Sequence, residues 1–276
     1  MFYGVSLLHC PLAAVPLKAS LTGKHPEIKR FEDMPLAHTD RKERTMPGLI
    51  TILGDSIARG LMYDENASRY TLCRDTFASA LMGKGYSLKN LARVGGTVDN
   101  AMELFEKMDK QPGTLLAVEV GGNDSALNWE EVAKQPNVNH EAKVPLNQFG
   151  EKLRLLLSRA ADCAMRPIVV TPLPVVADRY MKWISRGLDA KAIEAYLGSY
   201  EYIYRWQERY ALEALKAARH TDCPVFDLRS VFLSQRNFAR LMCEDGIHPN
   251  ADGYRLISQA VVNAAQGGYA ALAANV

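Results

Sequence analysis

Four short stretches hold the residues whose types and spacing could do chemistry. Ser56 follows five mostly apolar or β-branched residues in "LITILGDSIARG" (residues 49–60). Gly95 and Gly96 sit in "NLARVGGT", Asn123 and Asp124 in "VGGND", and Asp245 and His248 in "EDGIHPN". Together they make up the inventory of an acyl-transfer centre: a hydroxyl nucleophile, an imidazole to take its proton, a carboxylate to fix the imidazole tautomer, and donors facing a developing oxyanion. Each also has a plainer reading. Ser56 suits the N-cap of a helix that follows a strand, Gly95 and Gly96 suit a turn that needs positive φ, and Asn123 and Asp124 suit an Asx turn. Asp245 and His248 suit a turn into a helix ahead of Pro249. Asp55 reads as structural, bonding nearby backbone amides. The chemical reading depends on whether the fold gathers all four stretches.

The surrounding pattern supplies a way to gather them. Strand-like runs at 49–54, 86–92, 114–121, 167–173 and 224–228 are short and mostly lack the in-out alternation of a half-solvated sheet. They suit a parallel sheet buried on both faces. Between them, residues 67–83, 98–110, 146–164, 190–219 and 251–265 carry apolar positions at spacings of three and four, as in Leu146, Phe149, Leu153, Leu156, Leu157 and Ala160. Thr97 and Asn250 are placed as N-caps. The βαβα alternation predicts a doubly wound, three-layer α/β/α domain over 49–276, with a mainly parallel five-stranded sheet and right-handed crossovers. In such sheets ligands collect at the carboxyl ends of the strands, and the four stretches fall just after strands one, two, three and five.

Bulk composition narrows the partners. The 276 residues are 48% hydrophobic and 23% charged, enough apolar material for one main core. The net charge of +2, from 33 basic and 31 acidic residues, gives no long-range pull toward nucleic acid. No apolar run approaches the ~18 residues of a spanning helix. The five cysteines, Cys10, Cys73, Cys163, Cys223 and Cys243, show no CxxC pair or zinc-like spacing and read as reduced thiols of a cytoplasmic protein. Secretion is the less favoured alternative, because the first twenty residues lack a basic start and are broken by Pro11 and Pro16. Residues 1–48 read as an irregular N-terminal arm or extension, a candidate surface for homo-oligomer formation through Phe2, Tyr3, Leu7 and Leu8.

Through its motifs the chain resembles the SGNH hydrolases, also called the GDSL esterase/lipase family. Ser56 falls in "GDS", Gly95 lies five residues after Asn90 and two before Thr97, Asn123 falls in "GGND", and "DGIHPNADGY" holds the Asp-x-x-His pair. The blocks come in the family's order and span about residues 49 to 265. Two departures stand out: Ala92 occupies a position where the family often has a further glycine, and the 48-residue leader has no counterpart in the motif pattern. Residues 54–58 read Gly-Asp-Ser-Ile-Ala, which is not the G-x-S-x-G elbow of α/β-hydrolases.

The resemblance implies a flavodoxin-like fold and a serine esterase that needs no cofactor and no metal. Ser56 would be the nucleophile, His248 the base and Asp245 its carboxylate, with an oxyanion hole from the Ser56 N–H, the Gly95 N–H and the Asn123 amide. It implies small-molecule or glycan acyl-ester substrates, with short-chain groups such as O-acetyl on sugars or small alcohols expected. The loops at 124–145 and 174–189 would set specificity, and Trp129, Tyr180 and Trp183 are the candidate substrate contacts, packing of a long loop being the plainer role for each. Three alternatives stay open: an acyltransferase using the same site, a non-catalytic glycan-binding protein, and a metallophosphoesterase. The last is poorly supplied with ligands, since three of the six histidines (His9, His25, His38) lie in the arm.

Overall fold

A computed structural model of the chain describes residues 48–273. The N-terminal arm, and association through it, lie outside the described residues except for Gly48. The first half of the domain runs β1 (Leu49–Leu53), α1 (Ser56–Arg59), β2 (Leu61–Asp64), β3 (Arg69–Leu72), α2 (Phe77–Met82), β4 (Ser87–Asn90), α3 (Val98–Lys107) and β5 (Leu115–Glu119). There follow α4 (Trp129–Lys134), α5 (Leu146–Asp162), β6 (Arg166–Val170), α6 (Ala177–Ile184), α7 (Ala190–Leu197), α8 (Glu201–His220), β7 (Val225–Phe226) and α9 (Leu228–Leu233). A 3-10 turn at Phe238–Leu241 leads to α10 (Ala251–Ala273).

Five strands form one parallel sheet in the order β4-β1-β5-β6-β7. The chain passes from β1 to β4 on one side and then returns to β5 on the other, so the strand order reverses at β1. That switch point is where a doubly wound sheet opens a crevice, and Ser56 lies three residues beyond the end of β1. The parallel register continues past the end of β4, because Leu91 N–H bonds Ile52 O at 2.9 Å and Arg93 N–H bonds Gly54 O at 3.0 Å. The loop that carries Gly95 is thereby laced to the loop that carries Ser56.

β1 shows why the apolar runs lack alternation: both of its faces are covered. Leu53 joins Leu116, Val118, Phe105, Phe149, Leu153 and Tyr210 in the core beneath α3, α5 and α8. Ile50 and Ile52 point the other way, to Ala58 and Leu81. On that second face α10 packs on α2 and α9, and Phe232, Tyr254 and Ile257 form a second cluster. The expected three-layer α/β/α architecture is thus observed. Burying one such Leu or Ile side chain contributes about 1.5–3 kcal/mol.

The two expected caps are present. Asn100 Oδ1 accepts from Thr97 N–H at 3.1 Å at the start of α3, and Asn250 Oδ1 accepts from Asp252 and Gly253 N–H at 3.0 and 3.1 Å at the start of α10. Two expected helices are corrected. Residues 67–83 do not form one helix: β2 and β3 make an antiparallel hairpin, and only Phe77–Met82 is helical. Turn chemistry prevails there, since Asp64 Oδ1 accepts from Asn66 and Ala67 N–H and Ser68 takes a left-handed φ of 48°. Residues 190–219 are two helices, because Gly198 ends α7 in the left-handed region at φ 67° and the chain restarts at Glu201. The loops at 124–145 and 174–189 contain α4 and α6.

One contact between the rim loops is tight enough to test. A Cβ on Gly96 would stand 2.8 Å from Gly54 O and 2.9 Å from Arg93 O, both backbone atoms with no room to yield. Gly96→Ala is expected to lose about 1–3 kcal/mol of stability, measured as a lower urea midpoint. An unchanged midpoint would mean that these loops are not in contact.

Candidate active site

The helix that follows β1 is capped by Asp55, not by Ser56. Asp55 Oδ1 accepts from Ile57 N–H at 2.8 Å, so the plainer role considered for Ser56 is already filled. Ser56 is buried as the first residue of α1, and its Oγ lies 2.9 Å from His248 Nε2. His248 Nδ1 lies 2.6 Å from Asp245 Oδ2. These three side chains, from opposite ends of the domain sequence, therefore form one hydrogen-bonded chain.

The Asp-x-x-His turn folds back on itself for identifiable reasons. Asp245 Oδ1 accepts from Ile247 and His248 N–H, each at 3.1 Å, which leaves Oδ2 for the imidazole. Gly246 adopts φ 75°, and a Cβ there would strike Val176 O at 2.6 Å and Tyr180 N at 2.7 Å. Cys243 N–H closes the turn onto His248 O at 2.8 Å. Burial, the largest influence on the Asp245 carboxyl, favours its neutral form. The His248 hydrogen bond and charge, with the two backbone N–H groups, outweigh it and hold this carboxyl below its ordinary value.

The other two stretches meet the first across the strand-order switch. Asn123 Nδ2 donates to Asp55 Oδ2 at 2.8 Å, which uses one of its two amide hydrogens and leaves the other. Gly95 sits at φ 73° with open space where a Cβ would be. Among the described residues no hydrogen bond engages the backbone N–H of Ser56 or of Gly95. Asp124 is a structural anchor: its fully buried carboxylate accepts from Val98 N–H at 2.8 Å and Gly121 N–H at 2.9 Å, tying the start of α3 to the loop after β5. Burial raises its carboxyl to about 6, against the lowering effect of those N–H groups.

Two residues escaped the sequence reading. Glu119, at the end of β5, accepts from Asp55 N–H at 3.2 Å and is buried beneath the loop that follows β1. Burial, then the Asp55 charge, push Glu119 well above the ordinary range, and burial also raises Asp55. A lone glutamate inside the apolar run "LLAVEVG" was the available signal. Tyr70, on β3, donates its hydroxyl to Asp245 Oδ2 at 3.1 Å and sets its ring edge-on to His248 at 5.4 Å. It lay in the segment read as a helix.

Beside Ser56 opens a cavity of about 400 Å³. Trp129 and Tyr180 line it, bonded to each other through the indole N–H at 3.3 Å. Trp183, the third expected substrate contact, does not. Its ring packs against Tyr63 at 4.6 Å and beneath the Arg186 guanidinium at 3.7 Å, bracing the β2–β3 hairpin. His140, in the 124–145 loop, packs against Tyr196. Among the described residues no group of three His, Cys, Asp or Glu side chains is placed to hold a metal ion, and no helix is long and apolar enough to cross a membrane.

Comparison with known proteins agrees with this architecture. The model of the GDSL-like lipase/acylhydrolase family matches residues 52–256. No curated protein matches by sequence. Among solved structures, a lipase/acylhydrolase from Enterococcus faecalis aligns with a TM-score of 0.54 at 18% identity, covering 79% of this chain and 95% of that one. A variant of an acetyl xylan esterase from Geobacillus stearothermophilus aligns with a TM-score of 0.53 at 18% identity, covering 78% and 93%. An alpha/beta hydrolase from the metagenome of Lake Arreo, Spain, gives 0.53 at 20%, covering 78% and 93%. At such identities the likeness is one of fold, whereas the family match spans most of the chain. The protein is a carboxylic ester hydrolase. It belongs to the GDSL-like lipase/acylhydrolase family.

The lowered Asp245 carboxyl has a consequence for stability. A carboxylate held below its ordinary value of 3.8 stabilises the fold above that pH, and the contribution disappears as pH falls through the lowered value. Asp245→Asn is therefore expected to be less stable than wild type at about pH 7, with the difference shrinking as the pH falls below 3.8. Denaturant midpoints across that range check this; a difference independent of pH would contradict it.

Proposed function

We propose that the protein is a serine esterase in which Ser56 is the nucleophile, His248 the general base and acid, and Asp245 the carboxylate that orients and stabilises the imidazole. The observation that carries this reading is the unbroken contact from Ser56 Oγ to His248 Nε2 to Asp245, at 2.9 and 2.6 Å. With Nδ1–H donated to Asp245, Nε2 has its lone pair free for the serine hydroxyl proton.

In the first step Ser56 Oγ bonds to the ester carbonyl carbon while its proton passes to His248 Nε2. The carbonyl oxygen, now an oxyanion, is met by the N–H groups of Ser56 and Gly95 and the remaining amide hydrogen of Asn123. As the tetrahedral species collapses, the C–O bond to the alcohol breaks and His248 returns the proton to that oxygen. Water then attacks the acyl-serine with His248 again as base, releasing the carboxylic acid and restoring Ser56. Short acyl groups, O-acetyl on sugars or small alcohols included, are substrates within this reading. The fold likeness to an acetyl xylan esterase supports the same class.

Two variants test the assignment. Ser56→Ala is expected to reduce hydrolysis of p-nitrophenyl acetate to background. Asn123→Ala is expected to lower turnover by a factor on the order of 100 to 1,000, the usual effect of losing one oxyanion donor. Wild-type turnover in the Asn123 variant, with the wild-type circular dichroism spectrum, would refute the oxyanion assignment.

A further inference from the structure

The cavity beside Ser56 is larger and less polar than an acetyl group requires. Its mouth is exposed at Val94 and Tyr70, which are 62% and 41% accessible. Away from the mouth its wall is formed by Leu127, Leu173, Val175, Leu197 and Ile203, each no more than 8% accessible. Leu197 and Ile203 come from α7 and α8, helices that carry none of the proposed reacting groups.

Apart from the Tyr180 and Tyr202 hydroxyls, the polar groups in that wall are committed to the protein. Trp206 Nε1 donates to Ser125 O at 2.8 Å, and Ser125 Oγ donates to Gly122 O at 2.7 Å. Gln207 is engaged at both ends: its Nε2 donates to Leu173 O at 2.8 Å, and its Oε1 accepts from the buried Arg229 at 2.6 Å. A sugar ring in this space would leave several hydroxyls short of partners, at a cost of about 1–3 kcal/mol each. A hydrocarbon chain carries no such penalty, and each buried methylene is favourable.

The order of product release decides which half of the ester lies inside. In the two-step mechanism the alcohol departs while the acyl group is still bonded to Ser56. A group in the enclosed part could not leave first past the acyl-serine, so the enclosed part belongs to the acyl chain and the exposed mouth to the alcohol.

We infer that this cavity is an acyl-chain site and that the preferred substrates are esters of medium-chain aliphatic acids; the inference rests on Ser56 being the nucleophile. With about 400 Å³ in the whole cavity and roughly 30 Å³ for a water-sized group such as a methylene, and with part of the space taken by the carbonyl and by the mouth left to the alcohol, a chain of about six to ten carbons fills the rest. An acetyl group leaves most of it empty.

The test is a p-nitrophenyl ester series from acetyl through butyryl, hexanoyl and octanoyl to decanoyl, each below its solubility limit. On wild type, kcat/KM should rise by up to about fourfold per added methylene and be at least about tenfold higher for octanoyl than for acetyl. Leu197→Trp and, independently, Ile203→Phe place bulk in the enclosed wall and should lower the octanoyl-to-acetyl ratio several-fold. That ratio, taken on one sample, does not depend on the fraction folded, and the second variant serves if the first does not fold. A wild-type profile that peaks at acetyl, or a ratio unchanged in the folded variants, overturns the acyl-chain site. Labelling of Ser56 by a fluorophosphonate separates the two levels of argument. A labelled Ser56 with an acetyl optimum removes only the chain site, whereas an unlabelled Ser56 with no ester turned over removes the esterase reading beneath it.

Discussion

Asp55 accepts from Ile57 N–H on one carboxyl oxygen and from the Asn123 amide on the other, while its own N–H donates to Glu119. Two strand ends, those of β1 and β5, depend on that arrangement. The first oxygen caps the short helix that presents Ser56, the second sets the direction of the Asn123 side chain, and the N–H to Glu119 joins the loop after β1 to the end of β5. Because Asp55 takes the capping role, Ser56 Oγ is left to His248. The Asp55 carboxyl thus acts through geometry, by holding both Ser56 and the Asn123 side chain in fixed relation to the sheet.

The carboxyl groups around the site are driven in opposite directions by their surroundings. Asp245 is held ionised because an imidazole and two backbone N–H groups compensate its burial. Glu119 is pushed toward its neutral form by burial and by the charge of Asp55 beside it. That push lowers the negative charge beneath Ser56. Negative charge is instead supplied on the far side of His248, where an imidazolium would form. Such a division of charge follows from burial and partners, not from the acid residue types themselves.

Much of this was legible in the residues. β1, β5 and β6 announce themselves because both faces are largely covered and the runs are mostly apolar, Glu119 in β5 being the exception. α5 is read from Phe149, Leu153, Leu156 and Leu157 because one stripe meets the sheet. The stretches carrying Ser56, Gly95, Asn123 and His248 could be placed at one rim because strand ends in a parallel sheet share an edge. What stayed hidden depends on contacts between distant segments. The hairpin at residues 61–72 was misread because its pattern is short and its turn is decided by Asp64 and Ser68. The role of Tyr70 arises only from Asp245, a partner 175 positions away. The break between α7 and α8 turns on Gly198, whose neighbours remain helical in pattern on both sides. A cavity has no periodic signature: Leu127, Leu173, Leu197 and Ile203 look like core residues in sequence because they are apolar and buried, and only their arrangement around an empty volume distinguishes them.

Asp245 Oδ2 receives both the imidazole N–H and the Tyr70 hydroxyl, at 2.6 and 3.1 Å. Shared acceptance spreads the carboxylate's charge over two donors, which tempers its pull on His248 while fixing the ring between Ser56 and the tyrosine edge. Tyr70 is itself held by edge-on contacts with the rings of Tyr63 and Trp183, and the hairpin that carries it is pinned where Tyr254 OH donates to Leu61 O at 2.6 Å. Tyr254 belongs to α10, the helix that starts immediately after the Asp-x-x-His turn. The segment that supplies the imidazole therefore also positions the hairpin that braces it from outside. Local bonding alone could not keep His248 aimed at a serine 192 positions earlier in the chain; the closure of α10 onto the hairpin holds both sides of the ring.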